Sequence, residues 1–227
     1  MKNIPDVTVV LAMSADGKIA DALRSPARFG SKNDKTHLEK QIAFVDGVLF
    51  GAATLRAYGT TLTVTHPHLL QHRAKMGKPP QPIHIVITNS GRINPEIRFF
   101  QQQVPHWLLT NSDGAIAWSD NQKFENILIF EDSMGTVDIT AALQHLFELG
   151  VKKIAVLGGG ELISSMLELK LINEFWLTVC PLILGGTLAP TPVAGQGFLP
   201  QLAPKLQLLQ VTTVEQEVFL RYRVVRE

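Results

Sequence analysis

The chain alternates between short apolar runs rich in β-branched residues and stretches in which apolar residues recur every three or four positions. Runs of the first kind are typical of strands covered on both faces, and the second spacing is typical of amphipathic helices. The predicted strands are 7–13, 46–51, 82–88, 106–110, 126–130, 153–158, 174–184, "KLQLLQVTTV" and "VFLRYRVV". The predicted helices are 35–45, 139–150 and 161–171. Strands alternating with helices predict an α/β fold with a mostly parallel sheet.

Local signals refine this picture. Only "EQE" separates the last two strands, which predicts an antiparallel hairpin at one edge and therefore a mixed sheet. Asp138 is a predicted N-cap of the 139–150 helix, and Gly150 is its predicted stop. The polar, proline-bearing segment 65–82 is predicted to be a long surface loop. Since no repeat or linker divides the chain, we expect one domain over residues 1–227.

Composition narrows the class of protein. The 227 residues are 45% hydrophobic with a formal net charge of +1, so no overall field favours nucleic acid or an anionic membrane. No apolar run reaches the roughly 18 residues of a membrane span, and "MKNIPDVTVV" lacks the apolar stretch of a signal peptide. Cys180 is a single cysteine, and no Cys/His cluster has metal-ligand spacing. We therefore expect a cytoplasmic protein without a metal.

The stretch "KKIAVLGGGELISSML", residues 152–167, runs from a strand through three glycines into a helix. The start of a helix has unpaired N–H groups and a partial positive charge, so bare glycines there allow a phosphate to approach. A tight turn that needs a positive φ explains the same glycines. The pattern is not the dinucleotide fingerprint G-x-G-x-x-G, so both interpretations stay open at this point.

Three other predicted strands also end in small or polar residues. They are followed by "MSADGKIAD" (13–21), "GAATL" (51–55) and "TNSGRINP" (88–95). Taken singly, each is explained by a simple turn or a helix start. Together they place such turns at the carboxyl ends of four strands, which is where open α/β sheets hold ligands.

The segments "VVLAMSADGKIA", "GAATL", "IVITNSGRI" and "VLGGGELISSMLELKLINEFWLTVCPLILGG" resemble the reductase domain of riboflavin biosynthesis, in the dihydrofolate-reductase-like superfamily. The resemblance spans about residues 6–225 and is most specific over 154–186. It implies a three-layer α/β/α fold, NADPH as cofactor and a homodimer. It also implies reduction of the ribosylamino group of a diaminopyrimidine phosphate to a ribitylamino group.

The resemblance also implies a set of cofactor-binding residues. Ala12 would meet the nicotinamide through its backbone, and Phe29 falls where the family often has a tryptophan. Arg92 is the expected partner of a 2′-phosphate, because its planar fork pairs with phosphate oxygens, although an exposed arginine on a turn needs no such role. The full set is Ala12, Phe29, Thr54, Asn89, Ser90, Arg92, Gly158, Gly159, Gly160, Glu161, Leu162, Ile163, Ser164 and Ser165.

The sequence departs from the family on the substrate side. Tyr58 and Thr65 stand where an aspartate and a phosphate-binding arginine are expected, and Leu157 replaces a glutamate. The candidate substrate-binding residues are Leu62, Leu157 and Arg56. The candidate catalytic residues are Asp16, as the best proton donor, and Lys18.

The leading hypothesis is an NADPH-dependent oxidoreductase that acts on a diaminopyrimidine ribosylamino phosphate or a related heterocycle. A reductase of the same fold with another substrate, pterin-like or carbonyl, is the alternative within enzymes. From a different class, a nucleotide-binding module that has lost turnover fits the same residues. The expected partners are a small heterocyclic substrate and a second copy of the chain, without nucleic acid or membrane.

Overall fold

The computed structural model of the protein describes residues 3–225. These residues fall into two compact units, each assembled from separate segments of the chain. Unit 1 contains residues 3–6 and Glu39–Ala155, and unit 2 contains Val7–Leu38 and residues 156–225.

Residues 3–225 form nine β-strands, six α-helices and one 3-10 helix. The strands are β1 (Asp6–Ser14), β2 (Gly47–Gly51), β3 (Ile83–Thr88), β4 (His106–Thr110), β5 (Asn126–Ile129), β6 (Lys153–Val156), β7 (Glu174–Cys180), β8 (Lys205–Val214) and β9 (Glu217–Val225). The helices are α1 (Lys32–Ala43), α2 (Ala52–Tyr58), α3 (Pro67–Lys75), α4 (Ser112–Ile116), α5 (Ile139–Glu148), α6 (Gly160–Glu168) and the 3-10 helix Arg98–Gln101. Among these residues, no helix has the length and hydropathy that a membrane span requires.

In unit 1 the strands follow the order β5-β4-β3-β2-β6. The pairs β2–β3, β3–β4 and β4–β5 are parallel. Leu49, Ile85 and Leu108 on the central strands are fully buried, as expected for strands covered on both faces. Because parallel strands share the direction of their carboxyl ends, the turns that follow β2, β3 and β4 lie at one edge of this unit.

Helix α5 confirms the signals read from its sequence. The Asp138 side chain accepts a hydrogen bond from the Ala141 N–H at 2.9 Å, so Asp138 is the N-cap. Leu143 and Leu146 are fully buried on the face that packs into the unit. Gly150 has φ +91, a conformation that glycine adopts more readily than other residues, and it ends the helix.

In unit 2 the strands follow the order β1-β7-β9-β8. Strands β1 and β7 are parallel, with Ala12 in register with Thr178, whereas β7–β9 and β8–β9 are antiparallel. The predicted C-terminal hairpin is therefore confirmed. So is the mixed, mostly parallel α/β fold class, since parallel pairing also holds across unit 1.

The predicted surface loop over 65–82 is wrong for half of its length, because Pro67–Lys75 is helix α3. Pro67 occupies the start of the helix, where the missing N–H costs nothing and the fixed φ favours the helical turn. The polar residues that suggested a loop include Arg73, which is only 1% exposed.

Arg73 explains why this polar segment is ordered. Its Nε donates to the Pro79 carbonyl at 2.7 Å, and its Nη1 donates to the carbonyls of Ala43 and Val45 at 3.0 and 2.8 Å. Burial lowers the pKa of this arginine, while the charge of Asp46 acts in the opposite direction. A buried guanidinium satisfied by three carbonyls fastens α3 to the segment between α1 and β2.

The predicted strand 174–184 also needs correction, because β7 ends at Cys180. Pro181 has no N–H to continue a strand ladder. Further on, Gly185 and Gly186 have φ of +64 and +81, which turn the chain back. Residues 181–195 are therefore a loop, called here the 181–195 loop.

Candidate active site

The chain passes from β6 into α6 through Leu157, Gly158 and Gly159. Gly158 has φ +118, which L side chains rarely adopt, and the Gly158–Gly159 peptide bond is cis. Gly159 is the N-cap of α6, and no side chain caps the helix there. The first turn of α6 therefore has the uncapped N–H groups and positive dipole end that favour an anion.

Gly160 is a glycine for a reason that the sequence did not suggest. A Cβ at this position would lie 2.5 Å from the carbonyl oxygen of Thr191 and 3.2 Å from the Cβ of Ala194. The Ala194 N–H also donates to the Gly160 carbonyl at 3.2 Å. The backbone that approaches Gly160 is thus the protein's own 181–195 loop.

The remaining predicted residues of this segment divide into two groups. Ile163 and Ser164 are 0% and 2% exposed, so their side chains face the interior of unit 2. Glu161 and Ser165 are exposed, and Leu162 is half-buried. A ligand at the start of α6 would therefore meet the main chain and the exposed side chains, and not those of Ile163 and Ser164.

Asp16 links the turn after β1 to the 181–195 loop. Its carboxylate accepts hydrogen bonds from the Ser14 hydroxyl at 2.5 Å and from the N–H groups of Leu184 and Gly185 at 3.1 and 2.7 Å. These bonds, led by that of Ser14, lower the pKa of Asp16 to about 2. A carboxylate with that pKa holds no proton at neutral pH, so this geometry suits positioning of the loop and not proton donation.

Lys18 is fastened to the same loop. Its N–H donates to the Ser14 hydroxyl at 2.9 Å, and its Nζ donates to the Ala189 carbonyl at 3.3 Å. Ala12 lies two residues before Ser14 on β1, and Phe29 lies in the segment that precedes α1; both are half-buried. Within unit 2 the structure therefore brings Asp16 and Lys18 together with the loop that contacts Gly160.

Two acids that the sequence analysis missed are Asp34, in the first turn of α1, and Glu217, at the start of β9. Glu217 is 4% exposed and accepts hydrogen bonds from the Ser31 N–H at 2.8 Å and the Ser31 hydroxyl at 2.6 Å. Burial raises the pKa of Asp34, a hydrogen bond with the Thr178 side chain lowers it, and the charge of Glu217 raises it, so the pKa lies above its usual value. Because Thr178 is in register with Ala12, Asp34 lies one strand away from the residue expected at the nicotinamide.

The signals for these acids were ambiguous in the sequence. Asp34 stands in the first turn of a helix, where an acid is favoured by the helix dipole alone. Glu217 falls in the predicted link "EQE", where a solvated turn was the expectation, but it is the first residue of β9. Cys180 lies beside Glu217, with Sγ 3.6 Å from Oε1, and burial raises its pKa to about 12, so it is a neutral thiol.

In unit 1 the 88–92 turn, which follows β3, presents Asn89, Ser90 and Arg92 as exposed residues. The turn is held by a hydrogen bond from the Val137 N–H to Asn89 Oδ1 at 2.9 Å and one from Trp118 Nε1 to the Gly91 carbonyl at 2.7 Å. Gly91 has φ +61, and a Cβ there would overlap the Gly114 carbonyl oxygen. The turn is thus a fixed platform whose outer side chains are open to a ligand.

Helix α2 carries two further candidates. Thr54 is its third residue and is half-buried. Arg56 is exposed, and its Nη1 donates to the main-chain carbonyl of Arg92 at 2.9 Å. The structure therefore brings Arg56, predicted on the substrate side, to Arg92, predicted on the cofactor side.

Thr65, which stands where the family has a phosphate-binding arginine, faces an acid. Glu39 Oε1 accepts hydrogen bonds from the Thr65 N–H at 2.6 Å, the Thr65 hydroxyl at 3.0 Å and the His66 N–H at 2.7 Å. Burial raises the pKa of Glu39, but these hydrogen bonds outweigh it and the pKa lies below its usual value. The carboxylate is therefore ionised, whereas Leu62 nearby in sequence is half-buried and apolar.

The described residues show no metal cluster at the site, and their polar cleft lies elsewhere. Within 3–225, no group of three or more His, Cys, Asp or Glu residues is arranged to hold a metal ion. A polar cleft of about 520 Å³ in unit 1 is lined by Thr63, Val64, Thr65, Gln81, Arg98, Gln101, Gln102 and Gln103. Gln81 precedes β3 and Gln103 precedes β4, so this cleft lies toward the amino ends of these strands, away from the 88–92 turn.

Comparison with known proteins identifies relatives over most of the chain. The 2,5-diamino-6-ribosylamino-4(3H)-pyrimidinone 5′-phosphate reductase of Archaeoglobus fulgidus is 30% identical over 199 residues, which cover 86% of this chain and 89% of that protein. The reductase of the same name from Methanothermobacter thermautotrophicus is 26% identical, with 97% and 98% covered. The fold is similar to that of a pyrimidine reductase-like protein from Corynebacterium diphtheriae, with a TM-score of 0.80 at 19% identity over 98% of this chain and 93% of that one.

A family model supports the same assignment independently. The model of the RibD C-terminal domain matches residues 5–220, which include both units, the β6–α6 junction and the 88–92 turn. The resemblance read from the sequence is therefore confirmed at the level of the family: the chain belongs to the RibD C-terminal domain family.

Proposed function

We propose that this protein is an NADPH-dependent reductase of 2,5-diamino-6-ribosylamino-4(3H)-pyrimidinone 5′-phosphate. The observation that carries the proposal is the 30% identity to the Archaeoglobus reductase, spread over 86% of the chain. In this reaction the ribosylamino group gains a hydride and a proton and becomes a ribitylamino group. The relatives' reaction requires a nicotinamide cofactor, and the choice of NADPH is part of the proposal.

The described residues fit such a cofactor at separate places in the two units. In unit 2, the uncapped first turn of α6 suits the diphosphate, and Ala12, half-buried on β1, is the residue expected at the nicotinamide. In unit 1, the 88–92 turn suits the adenosine end, with Arg92 as the partner of a 2′-phosphate. When bound, the nicotinamide supplies the hydride.

The chain's own residues have to supply the proton. Among carboxyl groups of the described residues, Asp34 is the one whose pKa is raised, and it lies one strand from Ala12. We assign the proton to the Asp34 carboxyl, with Thr178 orienting it. Asp16 and Lys18 then act through the 181–195 loop that they fasten.

An Asp34→Asn variant tests this assignment. We expect kcat to fall by roughly 10²–10⁴-fold while the Kd for NADPH stays unchanged, because only the proton source is removed. The remaining activity should also no longer fall toward high pH, because the deprotonation of Asp34 that causes this fall is absent from the variant. An unchanged kcat would exclude Asp34 as the donor.

The function itself is tested with purified protein, NADPH or NADH, and the diaminopyrimidine substrate. Cofactor binding is followed by quenching of tryptophan fluorescence, and turnover by loss of the absorbance of the reduced nicotinamide. A folded sample that binds neither cofactor would contradict every reductase hypothesis. Binding of NADPH without turnover on this substrate or related heterocycles would instead identify a nucleotide-binding module.

A second candidate differs only in the substrate. The ionised Glu39 carboxylate lies against Thr65, where a cationic partner for the substrate's phosphate is expected, and like charges repel. This favours a reductase of the same fold that acts on an unphosphorylated heterocycle. Comparing kcat/KM for the phosphorylated substrate and its dephosphorylated form decides between the two, since only the first candidate requires a preference for the phosphate.

We also propose that the protein is a cytoplasmic homodimer. The support for the dimer is a set of exposed apolar side chains on β8, where Leu206, Leu208 and Val211 are 45%, 51% and 53% exposed. Strand β8 also ends the strand order of unit 2, so its outer edge is free to pair with another chain. Light scattering that gives a monomer at micromolar concentration would contradict the dimer.

A further inference from the structure

Arg56 and Arg92 are exposed cations in different segments of unit 1, and a hydrogen bond connects the Arg56 side chain to the Arg92 backbone. Arg56 lies in the last turn of α2, and Arg92 follows β3. The bond of 2.9 Å from Arg56 Nη1 to the Arg92 carbonyl places one guanidinium against the backbone of the residue that carries the other. Among the described residues, neither arginine forms an ion pair with a carboxylate.

A cation that has no acid as its partner gains stability when an anion arrives. Each guanidinium has five N–H donors in a planar fork, and the contact with Arg92 uses Nη1 of Arg56 alone. The remaining donors match the oxygens of a phosphate, which arginine binds in pairs. Ser90, exposed in the same turn, adds a hydroxyl whose Oγ lies 3.4 Å from the Arg92 N–H.

Two acids of unit 1, Asp132 and Glu131, are hydrogen-bonded to other residues. Asp132 is occupied within its own turn by Met134 and Thr136, and Glu131 accepts from the Ser112 N–H at 2.8 Å. The platform under Arg92 is rigid, because Asn89, Gly91 and Thr88 are each hydrogen-bonded to a neighbouring element. A rigid, cationic and uncompensated surface is preorganised for an anionic ligand.

We propose that Arg56 and Arg92 together bind the 2′-phosphate of NADPH, with Arg56 as the specificity-determining second arm. The inference rests on the proposed function, which brings the adenosine end of the cofactor to the 88–92 turn. It moves Arg56 from the substrate side, where the sequence placed it, to the cofactor side. The chemistry recognised is a phosphate monoester, which distinguishes NADPH from NADH.

The test compares dissociation constants for NADPH and NADH in wild-type protein and the Arg56→Gln variant. We expect the variant to bind NADPH roughly 10- to 100-fold more weakly and NADH with unchanged affinity, because one charge-assisted phosphate partner is lost. Arg56→Lys keeps the charge but not the planar guanidinium, so its affinity for NADPH should lie between those of wild-type protein and Arg56→Gln. The preference of wild-type protein for NADPH should also fall as the salt concentration rises.

Arg98→Gln is the matched control, since Arg98 is an exposed arginine of unit 1 that lines the polar cleft at the other ends of the strands. It should change neither constant. Equal weakening of NADPH and NADH by Arg56→Gln, no change in either, or a rise only in the KM of the phosphorylated substrate would each overturn the proposal. Wild-type protein that binds neither cofactor would instead contradict the proposed function, so the two failures are distinguishable.

Discussion

Single residues set the backbone conformation at the proposed anion site. Gly158 is required by its positive φ, and Gly160 by the contact of its missing Cβ with the Thr191 carbonyl. Gly159 differs from both, because its φ of −71° and ψ of 164° are available to any residue. Of the three glycines, Gly159 can therefore be given a side chain without a change in φ and ψ. A variant at this position tests the proposed ligand contact and not the backbone conformation.

Replacing Gly159 by Asp should weaken NADPH binding by about two orders of magnitude or more. The new carboxylate would stand at the positive end of α6, where the diphosphate is proposed to bind, and each lost charge-assisted contact costs roughly 1.5–3 kcal/mol. Gly159→Ala is the control that adds a methyl group without charge and should have a much smaller effect. Fluorescence titration measures both, and wild-type affinity in a folded Asp variant would show that the glycines serve only the turn.

Asp34 gives a pH dependence of stability whose sign follows from its environment. Its pKa is higher in the folded protein than in the unfolded chain, because of burial and Glu217. The folded state therefore binds the extra proton, and the contribution of Asp34 is fully present below its unfolded pKa and is lost as pH rises through the folded value. Near Asp34 lie Glu217, Thr178 and the neutral Cys180 thiol from the strands, and His37 on its own helix.

The Asp34→Asn variant mimics the protonated acid, so its free energy of unfolding should not fall as Asp34 of the wild type loses its proton. We expect the variant and wild type to have similar free energies of unfolding near pH 4, with the variant increasingly the more stable toward neutral pH. Urea denaturation at a series of pH values measures the difference, in which other titrating groups cancel. A difference that is constant with pH, or that grows toward acid, would contradict the raised pKa.

At the scale of elements, helix α3 depends on a buried cation. Arg73 supplies N–H donors to the carbonyls of Ala43, Val45 and Pro79, and those of the buried Ala43 and Val45 have to be satisfied. Arg73→Met keeps an unbranched apolar stem but leaves these carbonyls without their donor. We expect a loss of roughly 2–4 kcal/mol in the free energy of unfolding.

Lys75→Met is the matched control for this variant, because Lys75 is exposed on the same helix. It should change stability by no more than about 0.5 kcal/mol. Denaturant unfolding compares the two variants with wild type. Equal stability of Arg73→Met and Lys75→Met would mean that water satisfies the carbonyls and that Arg73 does not fasten α3.

At the scale of the whole molecule, cofactor binding should raise the free energy of unfolding. A ligand that binds only the folded state at 100 times its Kd adds about 2.7 kcal/mol to the free energy of unfolding. For a chain of 227 residues this corresponds to a rise in Tm of roughly 5–10 °C. NADPH should therefore raise the Tm more than NADH at equal concentration, as measured by thermal unfolding, and equal shifts would contradict a site that recognises the 2′-phosphate.

Much of this protein follows from its sequence alone. β-Branched runs such as "IHIVIT" and the periodic Leu143 and Leu146 specify their elements locally, because strand and helix place side chains with periods of 2 and 3.6. Asp138 and Gly150 mark the ends of α5 for similarly local reasons. The positions of most strands and helices and the C-terminal hairpin were predicted for this reason.

Tertiary structure decided what depends on partners distant in the chain. Arg73 looks like a surface residue until three carbonyls surround it, and Asp34 looks like a helix-start acid until Glu217, 183 positions later, raises its pKa. The hydrogen bond from Arg56 to the Arg92 carbonyl likewise joins residues that are 36 positions apart. Burial, pKa and charge pairing are properties of a three-dimensional neighbourhood, so no local pattern of residues determines them.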